Sequence, residues 1–463
     1  MLLERIYDED LAQAGYLIGC QAKGEALVVD ARRDVQHYLD LAAQHGMTIT
    51  GVTETHIHAD YLSGTRELAA ATGAQMYVSG EGGEDWQYGF DATRLYDGDA
   101  IELGNITVQA VHTPGHTPEH ISFLVTDGAF ADEPGYMLTG DFVFSGDVGR
   151  PDLLDEAAGG VDTRFGGAKQ IFAALQKFAQ LPGHVQVFPG HGSGSACGKA
   201  LGALPSTSVG YESRFAWWAQ FVDDDDETGF VAELLDGQPD AHAYFGRMKR
   251  QNKEGPAVLG TLDAPALFAN SEVASLIESG DVVVVDTRAA DEVHGGTVAG
   301  ALNIPGPAKA ATFGSWAYDP EREDTPLVLL ATDAEQAADM RDHLVRVGID
   351  TVAGYITDFD GLPMVTPDVV DPSRLGTLDE ALLLDVRNKT EHSGGHIPGS
   401  EQLSAGRVLW NLDQLPTDGL IVSYCQSGTR NSVAASALRR AGYRVAELDG
   451  SYAGWLERQT VAA

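Results

Sequence analysis

The sequence predicts an α/β protein of more than one domain, and three observations predict it. Its 463 residues suffice for roughly three domains of about 150 residues, each able to bury its own core. Short β-rich runs alternate with helical stretches over residues 1–200. From about residue 270 the chain repeats itself, as duplicated α/β units do. A 43 % hydrophobic fraction with 8 % aromatics excludes wholesale disorder. No apolar run approaches the roughly 18 residues needed to span a bilayer. The opening MLLERIYDEDLAQAG is acidic and broken by charge, unlike a secretory signal.

Charge narrows the partners. Thirty Lys and Arg against 68 Asp and Glu give a net −38, which repels nucleic acid and anionic membranes, so neither is expected to bind. The run Asp223-Asp224-Asp225-Asp226-Glu227 lacks the alternating ligands and turning glycine of a calcium loop and reads as an exposed loop. Three cysteines (Cys20, Cys197, Cys425) cannot form a disulfide framework and fit a reducing cytoplasm, the expected location.

In chain order, Ala26-Leu27-Val28-Val29-Asp30 reads as a buried strand and residues 34–45 as a helix. A strand over Ile49 to Thr55 follows, then a helix near Ser63–Thr72 that Gly73 ends. Many of the 54 glycines fall in loops that also carry His or Asp, as sites on strand-end loops require. Residues 205–262 read as a helical extension leading into a linker. Beyond it, VVVVDTRAADEVHGGTVAGALNIP (282–305) matches ALLLDVRNKTEHSGGHIPGSEQLS (381–404) at an offset of 99. LVLLAT (327–332) matches LIVSYC (420–425) at an offset of 93. Domains are expected at 1–264, 265–366 and 367–463.

Two groups of residues carry chemistry. His56-Ile57-His58-Ala59-Asp60, His116 in HTPGHTPEH, Asp141 in LTGDFVFSGD and His191 in VFPGHGSG each sit on a loop after a β-like run. Imidazole and carboxylate together suit borderline divalent metals. The second group is Cys425-Gln426-Ser427-Gly428-Thr429-Arg430, between the apolar run LIVSY and a helical pattern. Such a loop aims amides and a helix N-terminus at the sulfur, making it a thiolate nucleophile. Four residues separate Cys425 from Arg430, one fewer than in Cys-based phosphatases, so the loop fits a single sulfur atom better than a phosphate.

With these segments, residues 1 to about 200 resemble the metallo-β-lactamase fold superfamily, which implies an αββα sandwich with metals at one edge. THIHADYLSG, TPGHT and PGHGSGSACGK look most like persulfide dioxygenases, and next like glyoxalase II hydrolases. Binuclear hydrolases of this fold carry a His where Tyr61 stands, and a phenol is a poor zinc ligand at neutral pH. The persulfide dioxygenase resemblance implies one Fe(II) per chain on His56, His116 and Asp141, with zinc as the alternative. His58, Asp60 and His191 would stand behind those ligands or serve as alternative ones. Arg150, in GDVGRPDL, either holds a substrate anion or pairs with Asp152.

DVR, GHIPGS and DGSYAGW around the Cys425 loop make residues 367–463 similar to an active rhodanese domain. That implies Cys425 as the sulfur carrier, with Arg430 stabilising the anion, and Asp385, Arg387 and His396 as structural residues. In the earlier copy Thr332, Glu335 and Ala337 stand in the positions of Cys425, Gly428 and Arg430, so residues 265–366 resemble an inactive rhodanese-like domain. The fold expected overall is therefore an αββα metallo-β-lactamase sandwich followed by two rhodanese-like α/β domains.

The order of domains resembles fused persulfide dioxygenase–sulfurtransferases. It implies a thiol persulfide, dioxygen, and thiosulfate or sulfite as partners, and a homo-oligomer is expected. The rival readings are a zinc thioesterase of glyoxalase II type with an accessory rhodanese, and a non-enzymatic sulfur carrier or sulfide-responsive protein. Cys197 is a further candidate: Ser195 reads as the N-cap of a helix at KALGAL, whose first turn and Lys199 would favour a thiolate able to relay sulfur. Packing under the loop is the equal alternative for it.

Overall fold

A computed structural model describes residues 1–157, 163–378 and 380–462. The chain divides into one unit of Met1–Ala241 with Phe245–Thr261, and another of His242–Tyr244 with Leu262–Ala463. None of the described helices is long and apolar enough to cross a membrane.

Among the described residues the first unit holds two six-stranded sheets. In one, β1 (Leu2–Asp8), β2 (Gln13–Cys20), β3 (Glu25–Val29), β4 (Thr48–Thr53), β5 (Gln75–Ser79) and β6 (Thr93–Leu95) lie side by side in chain order. The first three run antiparallel and the rest parallel. In the other, β7 (Ala100–Leu103), β8 (Ile106–His112), β9 (Ile121–Asp127), β10 (Tyr136–Gly140), β11 (Gln186–Pro189) and β12 (Thr207–Ser208) are likewise sequential, and only β10 and β11 pair in parallel.

Alternation along the strands makes the layers. Tyr16, Ile18, Leu27 and Val29 point inward against Val108, Ala110, Phe123 and Leu138 of the second sheet. Leu17, Val28, Ile49 and Val52 point outward, where Tyr38 and Ala42 of α1 (Gln36–Gln44) and Leu68 of α2 (Thr65–Thr72) cover them. On the far face, Met137 and Val187 pack beneath Ile171, Phe172 and Leu175 of the helix Thr163–Phe178. A sheet covered on both faces explains why β2 and β3 are continuous apolar runs rather than alternating ones. The layers are those of the expected αββα sandwich.

The expected elements appear as β3, α1, β4 and α2, and Gly73 caps α2 at φ +74°, a conformation that favours glycine. The extension is helical over Val209–Phe215, Ala219–Asp223, Glu227–Leu235 and Phe245–Glu254. The acidic run forms the exposed junction of the middle two, where Asp226 caps the second of them by accepting from Gly229 N.

Among the described residues the second unit holds two five-stranded parallel sheets with one strand order repeated, besides the antiparallel pair of Thr297–Val298 and Met364–Val365. Ala266–Leu267, Val352–Ile356, Leu327–Leu330, Val283–Asp286 and Leu302–Asn303 make the first. Asp368–Val370, Arg444–Leu448, Leu420–Tyr424, Leu382–Asp385 and Glu401–Gln402 make the second. The sequence repeat is thus a repeat of topology.

Candidate metal centre and sulfur-carrying loop

His56, His116, Asp141 and His191 follow the C-terminal ends of β4, β8, β10 and β11, so four loops converge at one edge of the sandwich. Ligand atoms of His56, His116 and Asp141 lie within 4.8 Å of one another, all buried. Asp141 Oδ2 is 3.8 Å from His56 Nε2 and 3.5 Å from His116 Nε2.

The far side of each ring is anchored. Thr55 Oγ1 donates to Asp30 at 3.0 Å, so at its 3.0 Å contact with His56 Nδ1 it accepts. His116 Nδ1 donates to the Arg150 carbonyl at 3.1 Å. Both rings therefore turn a bare Nε2 lone pair towards Asp141. Burial keeps both imidazoles below their ordinary range and hence neutral. Burial works to raise Asp141, but the charge and the hydrogen bond of His191 outweigh it and hold the carboxyl well below its usual range. Two neutral imidazoles and one carboxylate, with Asp141 Oδ2 buried and without a hydrogen bond among the described residues, are a donor set that a divalent metal fits.

Backbone approach depends on two glycines. Gly140 adopts φ +50°, and a Cβ there would lie 2.5 Å from Thr55 Oγ1 and 2.8 Å from His120 Nε2. At Gly190 a Cβ would come within 2.9 Å of Asp141 Oδ1.

The other predicted residues gather around this triad. His191 faces Asp141 Oδ1 and Asp60 Oδ2, each at 2.8 Å, and the two carboxylates outweigh burial to hold it well above its ordinary range. His58 Nε2 contacts Asp30 at 3.0 Å, while its buried Nδ1 has no hydrogen bond among the described residues. Tyr61 is fully buried, accepts from Gln13 Nε2 at 3.3 Å and donates to the Asp30 carbonyl at 3.4 Å. Burial and the Asp30 charge push its phenol well up, so it stays protonated.

Two expectations need correction. Residues 198–204 form no helix: the amides of Lys199 and Ala200, which would start one, instead donate to Asp147 Oδ2 at 3.1 and 2.8 Å. Ser195 does accept from Cys197 N at 3.1 Å, but as a turn within a loop. The Cys197 thiol is not lowered either. Burial, then the facing carboxylates of Asp141 and Asp60, push it well up. Its sulfur nevertheless lies at the site, within 4.8 Å of ligand atoms of Asp60 and His191.

Arg150 is fully buried and engaged at every nitrogen, by Asp152 (3.0 and 2.6 Å), the Ala196 carbonyl (3.2 Å) and the Pro239 carbonyl (2.9 Å). This geometry fits the Asp152 pairing rather than capture of a substrate anion. Arg150→Ala would leave Asp152 buried and alone, and is expected to cost about 3 kcal/mol of stability. A lowered denaturant midpoint for the first unit, read by fluorescence, checks this; an unchanged midpoint contradicts it.

Several further residues belong to the site. His120 Nε2 accepts from Asp141 N at 3.0 Å, and Glu119 Oε1 accepts from Ile57 N at 2.8 Å between the two histidines. Asn252 donates to the carbonyls of His58 (2.8 Å) and Tyr61 (2.7 Å), tying the helix Phe245–Glu254 to the ligand loop. One turn earlier, Lys249 Nζ lies 4.1 Å over the Trp86 ring. Burial pushes its ammonium down to about 7 against the pull of Glu119. Only the two residues of HTPEH lay within a motif that the sequence offers, and those were readable as neighbours of His116.

In the second unit, Cys425 directly follows the strand Leu420–Tyr424, and Gly428, at φ +116°, turns its N–H onto Cys425 Sγ at 3.1 Å before the helix Thr429–Arg440. Arg430 is forked onto Glu391 at 2.7 and 2.8 Å, which fixes its guanidinium beside the loop. Arg387 chelates Asp385 and lies 4.0 Å over Tyr452, while His396 stacks on His392, so these residues brace the loop without touching the sulfur. In the earlier copy the corresponding helix begins at Ala334, two residues after Thr332 and capped by Asp333. The helix has taken up the loop, and no cradle remains.

Comparison with known proteins agrees with both halves. Residues 9–191 match the Metallo-beta-lactamase superfamily and residues 373–458 a Rhodanese-like domain. A hydroxyacylglutathione hydrolase of Rhodospirillum rubrum is 33 % identical over 176 residues, 38 % of this chain and 60 % of the hydrolase. The mitochondrial persulfide dioxygenase ETHE1 of Bos taurus is 28 % identical over 200 residues, 41 % of this chain and 68 % of the relative. The crystal structure of a metallo-beta-lactamase from Staphylococcus aureus subsp. aureus COL superposes with a TM-score of 0.66 at 36 % identity, covering 77 % of this chain and 99 % of that one.

Proposed function

Because the chain belongs to the metallo-β-lactamase superfamily and ends in a rhodanese-like domain, we propose that it is a persulfide dioxygenase and sulfurtransferase of sulfide detoxification. The observation that carries this reading is the triad of His56, His116 and Asp141, whose two imidazoles and one carboxylate have the composition of a non-haem Fe(II) site. Tyr61 supports a single ion, since its phenol is protonated and turned to Gln13 and the Asp30 carbonyl.

Iron bound there would supply open positions for a sulfur anion and dioxygen, together with redox chemistry. The net change is RSSH + O2 + H2O → RSH + SO3²⁻ + 2H⁺, in which the sulfane sulfur gives four electrons to dioxygen. The chain's own residues orient and exclude. Thr55 and the Arg150 carbonyl fix the ligand rings, and the buried loops keep bulk water from the triad. In the second unit Cys425 takes a sulfane sulfur from thiosulfate, releasing sulfite, and passes it to a thiol. Gly428 N–H and Arg430 stabilise the resulting persulfide anion.

The test is dioxygen uptake by anaerobically iron-loaded protein on glutathione, coenzyme A, bacillithiol and mycothiol persulfides. One dioxygen consumed and one sulfite released per persulfide is the expected result for at least one of them. The hydrolase relative favours a second reading, a zinc thioesterase. Two zincs per chain, thioester hydrolysis and no uptake would establish it instead.

A further inference from the structure

The earlier rhodanese-like copy has lost its loop but not its contacts with the later one. Its strand Leu302–Asn303 presents Asn303 to the helix Thr429–Arg440. Ser432 Oγ donates to Asn303 Oδ1 at 2.6 Å, and Asn303 N donates to Ser436 Oγ at 2.9 Å. All three residues are buried. The Asn303 side chain is itself held, donating through Nδ2 to the carbonyls of Asp286 (2.9 Å) and Arg288 (3.0 Å). A second link lies one residue away. His294 of the earlier copy sits 3.2 Å from Glu447 Oε2, the same oxygen that accepts from Asn431 Nδ2 at 3.2 Å.

Residues 431 and 432 directly follow Arg430, in the first turn of the helix whose start faces Cys425. A displacement of this turn would move the guanidinium and the Gly428 N–H together. A hydrogen bond with both partners buried resists such displacement more than a solvent-exposed one, since breaking it strands two polar groups.

We propose that the earlier copy is the positioning element of the sulfur-carrying loop, with Asn303 as a positioning residue acting through Ser432 on Arg430 and the Cys425 cradle. This rests on the sulfurtransferase reading of Cys425. The retained Asp286–Arg288 pair fits the same role, because it builds the platform on which Asn303 is fixed. At the offset of 99, the later copy carries Gln402 in the position of Asn303, and Gln402 Nε2 donates to the Arg387 carbonyl at 2.8 Å, repeating the platform bond to Arg288.

The experiment uses the full chain with Asn303→Ala, Asn303→Gln and Ser432→Ala. It reads the alkylation rate of Cys425 by iodoacetamide against pH, by peptide mass, and kcat and KM for thiosulfate. Asn303→Ala and Ser432→Ala are expected to slow alkylation near neutral pH and lower kcat together by about tenfold, the effect of roughly one hydrogen bond's worth of misplacement. Asn303→Gln should recover part of both. Alkylation profiles and kcat that match the unaltered chain in folded Asn303→Ala and Ser432→Ala would overturn the proposal. Should Asn303→Ala not fold, Ser432→Ala decides alone, since it leaves the earlier copy intact. Alkylation needs no sulfur transfer, so if the unaltered chain were inactive with thiosulfate while the variants still shifted the alkylation profile, the sulfurtransferase reading would be refuted and the positioning role upheld.

Discussion

Asp141→Ala is expected to lower metal affinity by more than about 100-fold and to abolish dioxygen consumption. The carboxylate does two things at once. Oδ2 faces the Nε2 atoms of His56 and His116, and Oδ1 holds His191. Its loss removes the one carboxylate of the triad and releases the imidazole that links it to Asp60. Asp141→Asn keeps the shape without the charge, and its metal content should fall between those of the Ala variant and the unaltered protein. Elemental analysis after dialysis, beside an oxygen electrode, measures both effects. Full metal occupancy with turnover in Asp141→Ala would remove Asp141 from the ligand set.

Cys425→Ser should abolish thiosulfate sulfurtransferase activity, by at least about 1000-fold, and leave oxidation of a supplied persulfide unchanged. A serine hydroxyl fits the same turn and can accept the Gly428 N–H, so the loop should keep its shape. It cannot hold sulfane sulfur, because the alkoxide is inaccessible at neutral pH. Assaying the two half-reactions separately on one preparation checks this. Loss of both activities in a folded chain would show that the two sites are obligately coupled, contrary to the modular reading.

Much of this architecture could be read from local sequence. The apolar run at 26–29, the β-branched stretch at 48–53 and the glycine at 73 define elements through short-range rules, and the repeat at offsets of 99 and 93 exposes the duplication. The candidate ligands were legible because each lies in a glycine-bearing loop after a strand. What escaped was set by contacts distant in sequence. The hydrogen bond from Asn252 to His58 spans 194 residues, and nothing in RMKRQNKE announces it. The absent helix after Ser195 has the same origin: KALGAL suits a helix, but Asp147, 52 residues away from Lys199, takes the amides that would begin one. Burial reversed the expected acidity of Cys197, and no neighbour in sequence reveals burial.

The bond between Asn303 and Ser432 also sets an order in time. The two residues are 129 positions apart, and synthesis at roughly 5–20 residues per second leaves many seconds between them. The earlier copy has then emerged before the helix Thr429–Arg440 exists, so its parallel sheet, whose strands all lie between Ala266 and Ile356, can close around the Asp286 platform first. The later copy meets a finished surface that templates the docking of its helix. A substitution that slows folding of the earlier copy should therefore reduce the yield of competent Cys425 per chain synthesised, even where the mature protein that does form is fully active.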